Sequence, residues 1–372
     1  MGCIPMNKPE KVQGIVLMAV ESRNSLNERQ LVAYESHRRN LITWLTRMGK
    51  SPDKLEGYAH DTAKVYATIL DKFHRWAWEH SGGYTLDLDH DHADTYIRQM
   101  VLAEDDYSST YLNNIKLALA VYFRYRDDAD DWECPITISS DSGVRQPKEF
   151  VHLEERKAIR EAALEFGTVP SYFALDPEGR TEWKRFLARR FGKPMKEVGP
   201  REFKRANGFK YPSLVHASLD AGLRPIEVGR AKTYWVDLDN AALHIPADES
   251  SKNEDNWSVS LRRETAEYLA RWLEERQMYE RYDDTDALWL TRHGNPYSSS
   301  SLKYLLDQLR GIAGIDRSLS WYAIRHSTGT YMAREEDLAA AQSQLRHRSV
   351  ETTMKYDNAS VEDRRDALDR MG

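Results

Sequence analysis

The chain has 372 residues, 53 Lys+Arg against 59 Asp+Glu, a formal net charge of −6, 41% hydrophobic and 30% charged residues. That is too apolar for a disordered chain, too polar for a multi-span membrane protein, and long enough for about two domains of 100–200 residues. Two cysteines, Cys3 and Cys134, exclude a disulfide framework and a Cys-based zinc site, so a reducing cytoplasm is expected.

The apolar run at 14–20 is far short of the ~20 residues that span a bilayer. Glu21-Ser22-Arg23 follow where a leader would be cut. Residues 1–27 are therefore expected to be an N-terminal segment with one short buried element, and no membrane partner is expected. Helical spacing of apolar residues predicts helices at about 28–48 (Leu31, Tyr34, Leu41, Trp44, Leu45), 61–78 (Val65, Leu70, Phe73, Trp76), 91–103 and 108–125. Together they predict a four-helix unit over 28–130. Asp89-His90-Asp91-His92 has metal-ligand residue types, but alternate residues in a turn rarely converge on one ion. It reads as a polar helix entry, and no metal is expected. An acidic run at 127–131 and the Pro- and Ser-rich stretch around Pro135, Gly143 and Pro147 mark a linker over 131–150.

Residues 151–372 form the second expected domain. A helix is predicted at about 153–166. The block 180–210 holds eleven Lys/Arg against three Glu, a surplus of eight positive charges that leaves the rest of the chain at −14. Trp183, Phe186, Phe191, Phe203 and Phe209 lie among those charges. The block reads either as a solvated helix face with aromatics turned inward or as a surface that follows phosphates, with Lys204, Arg205 and Lys210 as candidate contacts. A helix at 213–221 ends at Gly222, and a short one follows Pro225. Alternation predicts strands at 234–240, 242–245 and 257–261. Helices are expected at 264–282, 298–313, 321–332, 337–345 and 359–370. The fold class expected is mainly α with a small antiparallel β-sheet.

Four motifs follow one another: Gly222-Leu223-Arg224-Pro225-Ile226-Glu227; Lys252 in a turn between strands; Tyr322-Ala323-Ile324-Arg325-His326; and His347 nine residues before Tyr356, with Thr352-Thr353 between. This order and spacing resemble the catalytic domain of tyrosine recombinases, the phage-integrase and Xer-like family. The resemblance covers about residues 150–370, and the N-terminal helices resemble the family's core-binding domain. It implies that Arg224 and Arg325 are the two catalytic arginines, His347 the phosphate-binding histidine, and Tyr356 the nucleophile. Where the family has a histidine three residues before the second arginine, this chain has Tyr322, and Arg346 replaces the glycine before His347.

The residue types suit metal-free phosphodiester chemistry. A tyrosine can hold a covalent phosphoester that keeps the bond energy for rejoining. Its phenol, with an ordinary pKa near ~10, needs a neighbouring group to lose its proton. Two arginines can grip non-bridging oxygens with forked bonds that strengthen as charge develops. Lys252 on a hairpin tip can protonate the 5′ oxygen. Tyr322 can donate a hydrogen bond to phosphate but is a poor base at pH 7.

The function expected is a site-specific recombinase or integrase that cleaves and rejoins double-stranded DNA through a 3′-phosphotyrosyl intermediate, without a cofactor. The resemblance implies two units closing on duplex DNA, a homotetramer on two sites and a possible accessory directionality protein. Two alternatives stay open: a DNA-binding protein of this fold that no longer cuts, and a relaxing enzyme like the type IB topoisomerases.

Overall fold

The computed structural model describes residues 9–103, 107–126, 131–138, 150–250, 255–347 and 349–354. The chain divides into two compact units, Met1–Arg145 and Gln146–Gly372.

In the first unit a two-stranded hairpin, β1 (Lys11–Val12) and β2 (Ile15–Val16), precedes α1 (Val20–Asn24). Four longer helices follow: α2 (Glu28–Arg47), α3 (His60–His80), α4 (His90–Leu102) and α5 (Ser109–Arg126). α3 shows why the pattern folds. Ala63, Ala67, Leu70, Phe73 and Ala77 recur every three or four residues and are fully buried, against Leu41 and Leu45 of α2 and Ile115, Leu119 and Tyr122 of α5 in one core. The Asp89–His92 run is the entry to α4, as expected from sequence, with Asp89 as N-cap accepting the His92 N–H at 3.0 Å. The short apolar run at 14–20 is buried at Ile15, Leu17 and Met18. Two buried charges fasten it to the bundle. Asp71 accepts from the Ala19 N–H (3.0 Å), the Ser22 hydroxyl (2.8 Å) and the Tyr34 hydroxyl (2.8 Å), while Arg38 donates to the Leu17 and Ala67 carbonyls. Past α5, Trp132 is buried in the same core and its indole donates to Asp94.

In the second unit α9 (Lys210–Ala221) is the central helix. Pro212 through Ala221 are all buried, and α6 (Leu153–Glu165), α11 (Arg263–Arg276) and α13 (Trp321–Glu335) pack around it. A helix buried on every side lies at the centre of the core, and its polar Ser213, His216 and Asp220 are hydrogen-bonded there. Three strands, β3 (Val236–Asp237), β4 (Ala242–Ile245) and β5 (Trp257–Ser260), form an antiparallel sheet in that order. The first is shorter than sequence alternation suggests. Thr233–Trp235 coils into a 3-10 turn that buries the Trp235 ring, and its indole N–H donates to Glu249 at 2.5 Å. The helix expected to reach 282 stops at Arg276, whose guanidinium donates to the Thr285 and Ala287 carbonyls and turns the chain back. α10 (Pro225–Arg230), α12 (Ser299–Ala313), α14 (Leu338–Leu345) and α15 (Val350–Met354) complete this part.

Residues 167–209 stand apart within the second unit. They include α7 (Pro177–Phe191) and α8 (Pro200–Arg205). Val169, Trp183, Phe186, Leu187, Val198 and Phe203 bury one another in a separate small core that touches Met278 and Tyr279 beyond α11. The aromatics of the basic block therefore turn inward. The expected helix at 359–370 lies outside the described residues.

Candidate active site

The site is assembled by two tight turns. α9 ends at Gly222, in the left-handed region at φ +57° and ψ +45°. A Cβ there would come within 2.6 Å of the Leu345 side chain, so the turn needs glycine on two counts. The chain then re-enters a helix at Arg224, the N-cap of α10, with Pro225 in the first helical position, where its fixed φ suits a helix start. α14 ends at Arg346, also left-handed at φ +57°, and His347 follows. Arg325, on α13, joins the two turns. It donates to the Gly222 carbonyl at 2.7 Å and to the Leu345 carbonyl. The Arg224 guanidinium approaches the Arg346 carbonyl at 3.5 Å. Arg224, Arg325 and His347, spread over more than a hundred positions, thus meet at one place.

The centre of this cluster is Glu227, whose place in the motif does not by itself disclose a role. Glu227 is 1% exposed. It accepts the Arg224 backbone N–H at 2.8 Å, the Arg224 guanidinium at 2.7 Å and the Arg346 guanidinium at 2.7 Å. Burial pushes its carboxyl upward, but Arg346, Arg224 and Arg325 outweigh that and hold it at about 2. The sequence signal for it is the capping-box spacing, an acid three residues after an N-cap. Arg346, in place of the family's glycine, puts a charge beside the site, but that charge is taken up inside the fold. It is 4% exposed and donates to Glu227 and to the Ala221, Gly222 and Gln344 carbonyls. Among the described residues, Arg224, Arg325 and Arg346 all surround this one glutamate, a preorganised cationic environment suited to an anion.

His347 is buried. Its N–H donates to the Gln342 carbonyl (3.0 Å), its carbonyl accepts from the Gln342 amide (2.9 Å), and its ring Nδ1 shares a 3.0 Å hydrogen bond with the Thr353 hydroxyl. Thr353 is fully buried, so one of the paired threonines serves to orient the ring through one nitrogen. Gln344, unmarked in sequence, closes the sheet onto the site. Its amide accepts the Ser260 N–H (3.2 Å) and donates to the Ser260 (2.8 Å) and Asp220 (2.9 Å) carbonyls, capping the outer edge of β5.

The remaining expected residues stand differently. Tyr322 lies one turn before Arg325 on α13 but is 48% exposed, whereas Arg325 is buried. Lys252 and Tyr356 lie outside the described residues. In the basic block, Lys204 and Arg205 are exposed at the end of α8. Lys210 is half-buried, with its ammonium 3.4 Å from the Leu290 carbonyl and 4.5 Å from the Tyr211 ring centroid. Burial, aided by Arg281, pulls that ammonium down to about 8. Among the described residues no group of three or more His, Cys, Asp or Glu is arranged to hold a metal ion, and no helix is long and apolar enough to cross a membrane.

Residues 203–363 match the phage integrase family model. Tyrosine recombinase XerC of Lactobacillus leichmannii is 27% identical over 153 residues, 40% of this chain and 50% of the relative. XerC of Chlamydia trachomatis serovar L2 is 26% identical over 161 residues, 43% of this chain and 50% of the relative. The chain spans about half the length of the curated relatives it matches. Among solved structures, XerH site-specific recombinase bound to a palindromic difH substrate aligns with a TM-score of 0.59 at 18% identity. That alignment covers 92% of this chain and 88% of the other. A lambda integrase dimer bound to a core site aligns at 0.50 with 13% identity, covering 93% and 84%. Residues 203–363 thus match a phage integrase domain, the chain shares its fold with a solved site-specific recombinase, and the matched region is similar in sequence to tyrosine recombinases of the Xer type.

Proposed function

We propose that the protein is a site-specific DNA recombinase that breaks and rejoins double-stranded DNA without a metal, through a phosphotyrosyl intermediate. The observation that carries this is the gathering of Arg224, Arg325 and His347 around the Gly222 and Arg346 turns. Arg224 uses two of its five N–H groups on Glu227 and the Arg346 carbonyl among the described residues, so its fork is oriented and retains donors for a phosphate. Charge-assisted bonds from the two arginines gain strength as the pentacoordinate phosphorus collects charge. His347, steadied by Thr353, adds a donor or acceptor at the same phosphate. The Tyr356 oxygen attacks phosphorus as its phenol proton passes to a neighbouring base, the bond from phosphorus to the 5′ oxygen breaks, and Lys252 delivers a proton to that oxygen. A 5′-hydroxyl from a partner strand reverses these steps and releases the tyrosine. Four protomers on two sites, with an accessory protein setting direction, complete the reading. Tyr322, in the family's histidine position, offers a phenol hydroxyl to the phosphate from an exposed helix turn.

The test is a duplex carrying a site recovered by mapping DNA bound in the cell, nicked beside the cleavage position so that the released fragment diffuses away. The wild-type chain accumulates a covalent protein–DNA adduct, and Tyr356→Phe forms none. Binding without any adduct would leave the second reading, a DNA-binding protein of this fold that does not cut, which the Tyr322 substitution favours. Inversion or deletion between two such sites separates recombination from simple relaxation of supercoils.

A further inference from the structure

The motifs leave unexplained the folded segment 167–209, whose α7 lies ahead of the family match that begins at residue 203. Its cations fall into two groups. Some complete the fold: Arg180 donates to the Tyr172 and Leu175 carbonyls, Arg190 to the Asn207 carbonyl while lying against Glu275, and Lys193 pairs with Glu202 at 3.2 Å. Lys210 is turned toward Leu290. Of the others, Lys184 is half-buried, while Arg185, Arg189, Lys196, Arg201, Lys204 and Arg205 are exposed and have no ion-pair partner among the described residues. Between 185 and 205 the only exposed acid is Glu197.

Their spacing adds to the case. Arg185 and Arg189 are four apart on α7, and Arg201 and Arg205 four apart on α8 with Lys204 beside them. Like charges at that spacing repel by about 0.2–0.5 kcal/mol per pair. Basic residues in the last turn of α7 suit its dipole, but the dipole of one helix does not account for cations continuing through the turn and along the next. Glu182, three positions before Arg185, is the acid nearest to them in sequence on α7, yet no ion pair holds any of the six among the described residues, so the surface suits a polyanion that the chain does not itself contain.

We infer that α7, α8 and the turn between them form an auxiliary grip on the phosphate backbone of the same duplex the active site works on, separate from the catalytic residues. The inference rests on the DNA-recombinase reading above. The segment has its own hydrophobic core, so the six side chains ride on a fixed platform rather than a loose tail. They contact phosphate and carry no base readout, because long exposed cations without fixed forks position DNA rather than read it.

The test measures the salt dependence of duplex binding for the wild type and for a variant with all six cations changed to Gln. Each phosphate contact contributes about 0.9 to the slope of log affinity against log salt. The sixfold variant is expected to flatten the slope by about 3–5 while keeping the wild-type melting temperature, since every altered side chain is exposed. Should it fold poorly, Arg185→Gln/Arg189→Gln/Lys196→Gln and Arg201→Gln/Lys204→Gln/Arg205→Gln are each expected to remove about half of that change. A folded variant whose slope stays within about 1 of the wild type overturns the inference alone. A wild-type chain that neither binds the duplex nor forms the adduct overturns the recombinase reading and this inference with it. Loss of heparin binding with an unchanged DNA slope assigns the surface to another polyanion and also overturns it.

Discussion

Glu227→Gln tests the electrostatic centre of the site most directly. The carboxylate sits 2.7 Å from both Arg224 and Arg346 and is 1% exposed. Its pKa falls from an ordinary 4.5 to about 2 in the folded chain. At about 1.4 kcal/mol for each pH unit, that difference is worth about 3 kcal/mol of stability. The sign follows from a depressed acid: the contribution is complete above pH 4.5, where the unfolded chain is also ionised, and is lost as the pH falls toward 2. Glutamine keeps the shape but leaves Arg346 buried beside a neutral amide, and unpairing a buried charge costs about 3–5 kcal/mol. Urea unfolding at pH 7 is therefore expected to place Glu227→Gln about 3–5 kcal/mol below the wild type. The gap should narrow between pH 4.5 and 2, as the wild type loses its own ionised carboxylate. Should the single variant fail to fold, Glu227→Gln with Arg346→Gly removes both partners and restores the residue that a left-handed φ prefers. The pair is expected to recover part of the loss. A single variant within about 1 kcal/mol of the wild type at pH 7, or one with the same acid dependence, would refute the reasoning.

Three further outcomes can be measured on the unliganded chain. Lys210→Met is expected to raise stability at pH 7 by about 1–3 kcal/mol, because a half-buried ammonium held at about 8 disfavours the folded state wherever it is charged. The wild type should gain stability as the pH rises from 8 toward 10 and close that gap, and melting curves that stay parallel across this window would count against it. Gly222→Ala forces a side chain into a left-handed turn against Leu345. A loss of about 1–2 kcal/mol or more is expected, and an unchanged melting temperature would show that the turn relaxes. Gln344→Leu leaves the Ser260 N–H and the Asp220 carbonyl without this partner, for an expected loss of about 1–3 kcal/mol. Hydrogen exchange should accelerate at Ser260 more than at Val259, which pairs with Leu243 across the sheet.

What was legible in the sequence was local order. The bundle helices show in the spacing of residues such as Leu70 and Phe73, and the central helix in its stop at Gly222. Motif order located Arg224, Arg325 and His347, and the two turns do bring them together. Sequence spacing has no access to which charge meets which partner across the fold. Arg346 could be read only as an added cation, because the carboxylate that neutralises it lies 119 positions earlier. Lys204, Arg205 and Lys210 look alike in sequence as candidate phosphate contacts, yet the half-buried Lys210 ammonium over Tyr211 and the exposed Lys204 ammonium and Arg205 guanidinium at a helix end are in different environments. The same limit explains the fold's strangest residue choice. A glycine at 346 would satisfy the left-handed turn without strain, whereas arginine there costs about 1–2 kcal/mol. It also reaches across to fix Glu227, and through Glu227 the guanidinium of Arg224. The strained residue thus ties the turn that carries His347 to the turn that carries Arg224, an interaction that glycine cannot make.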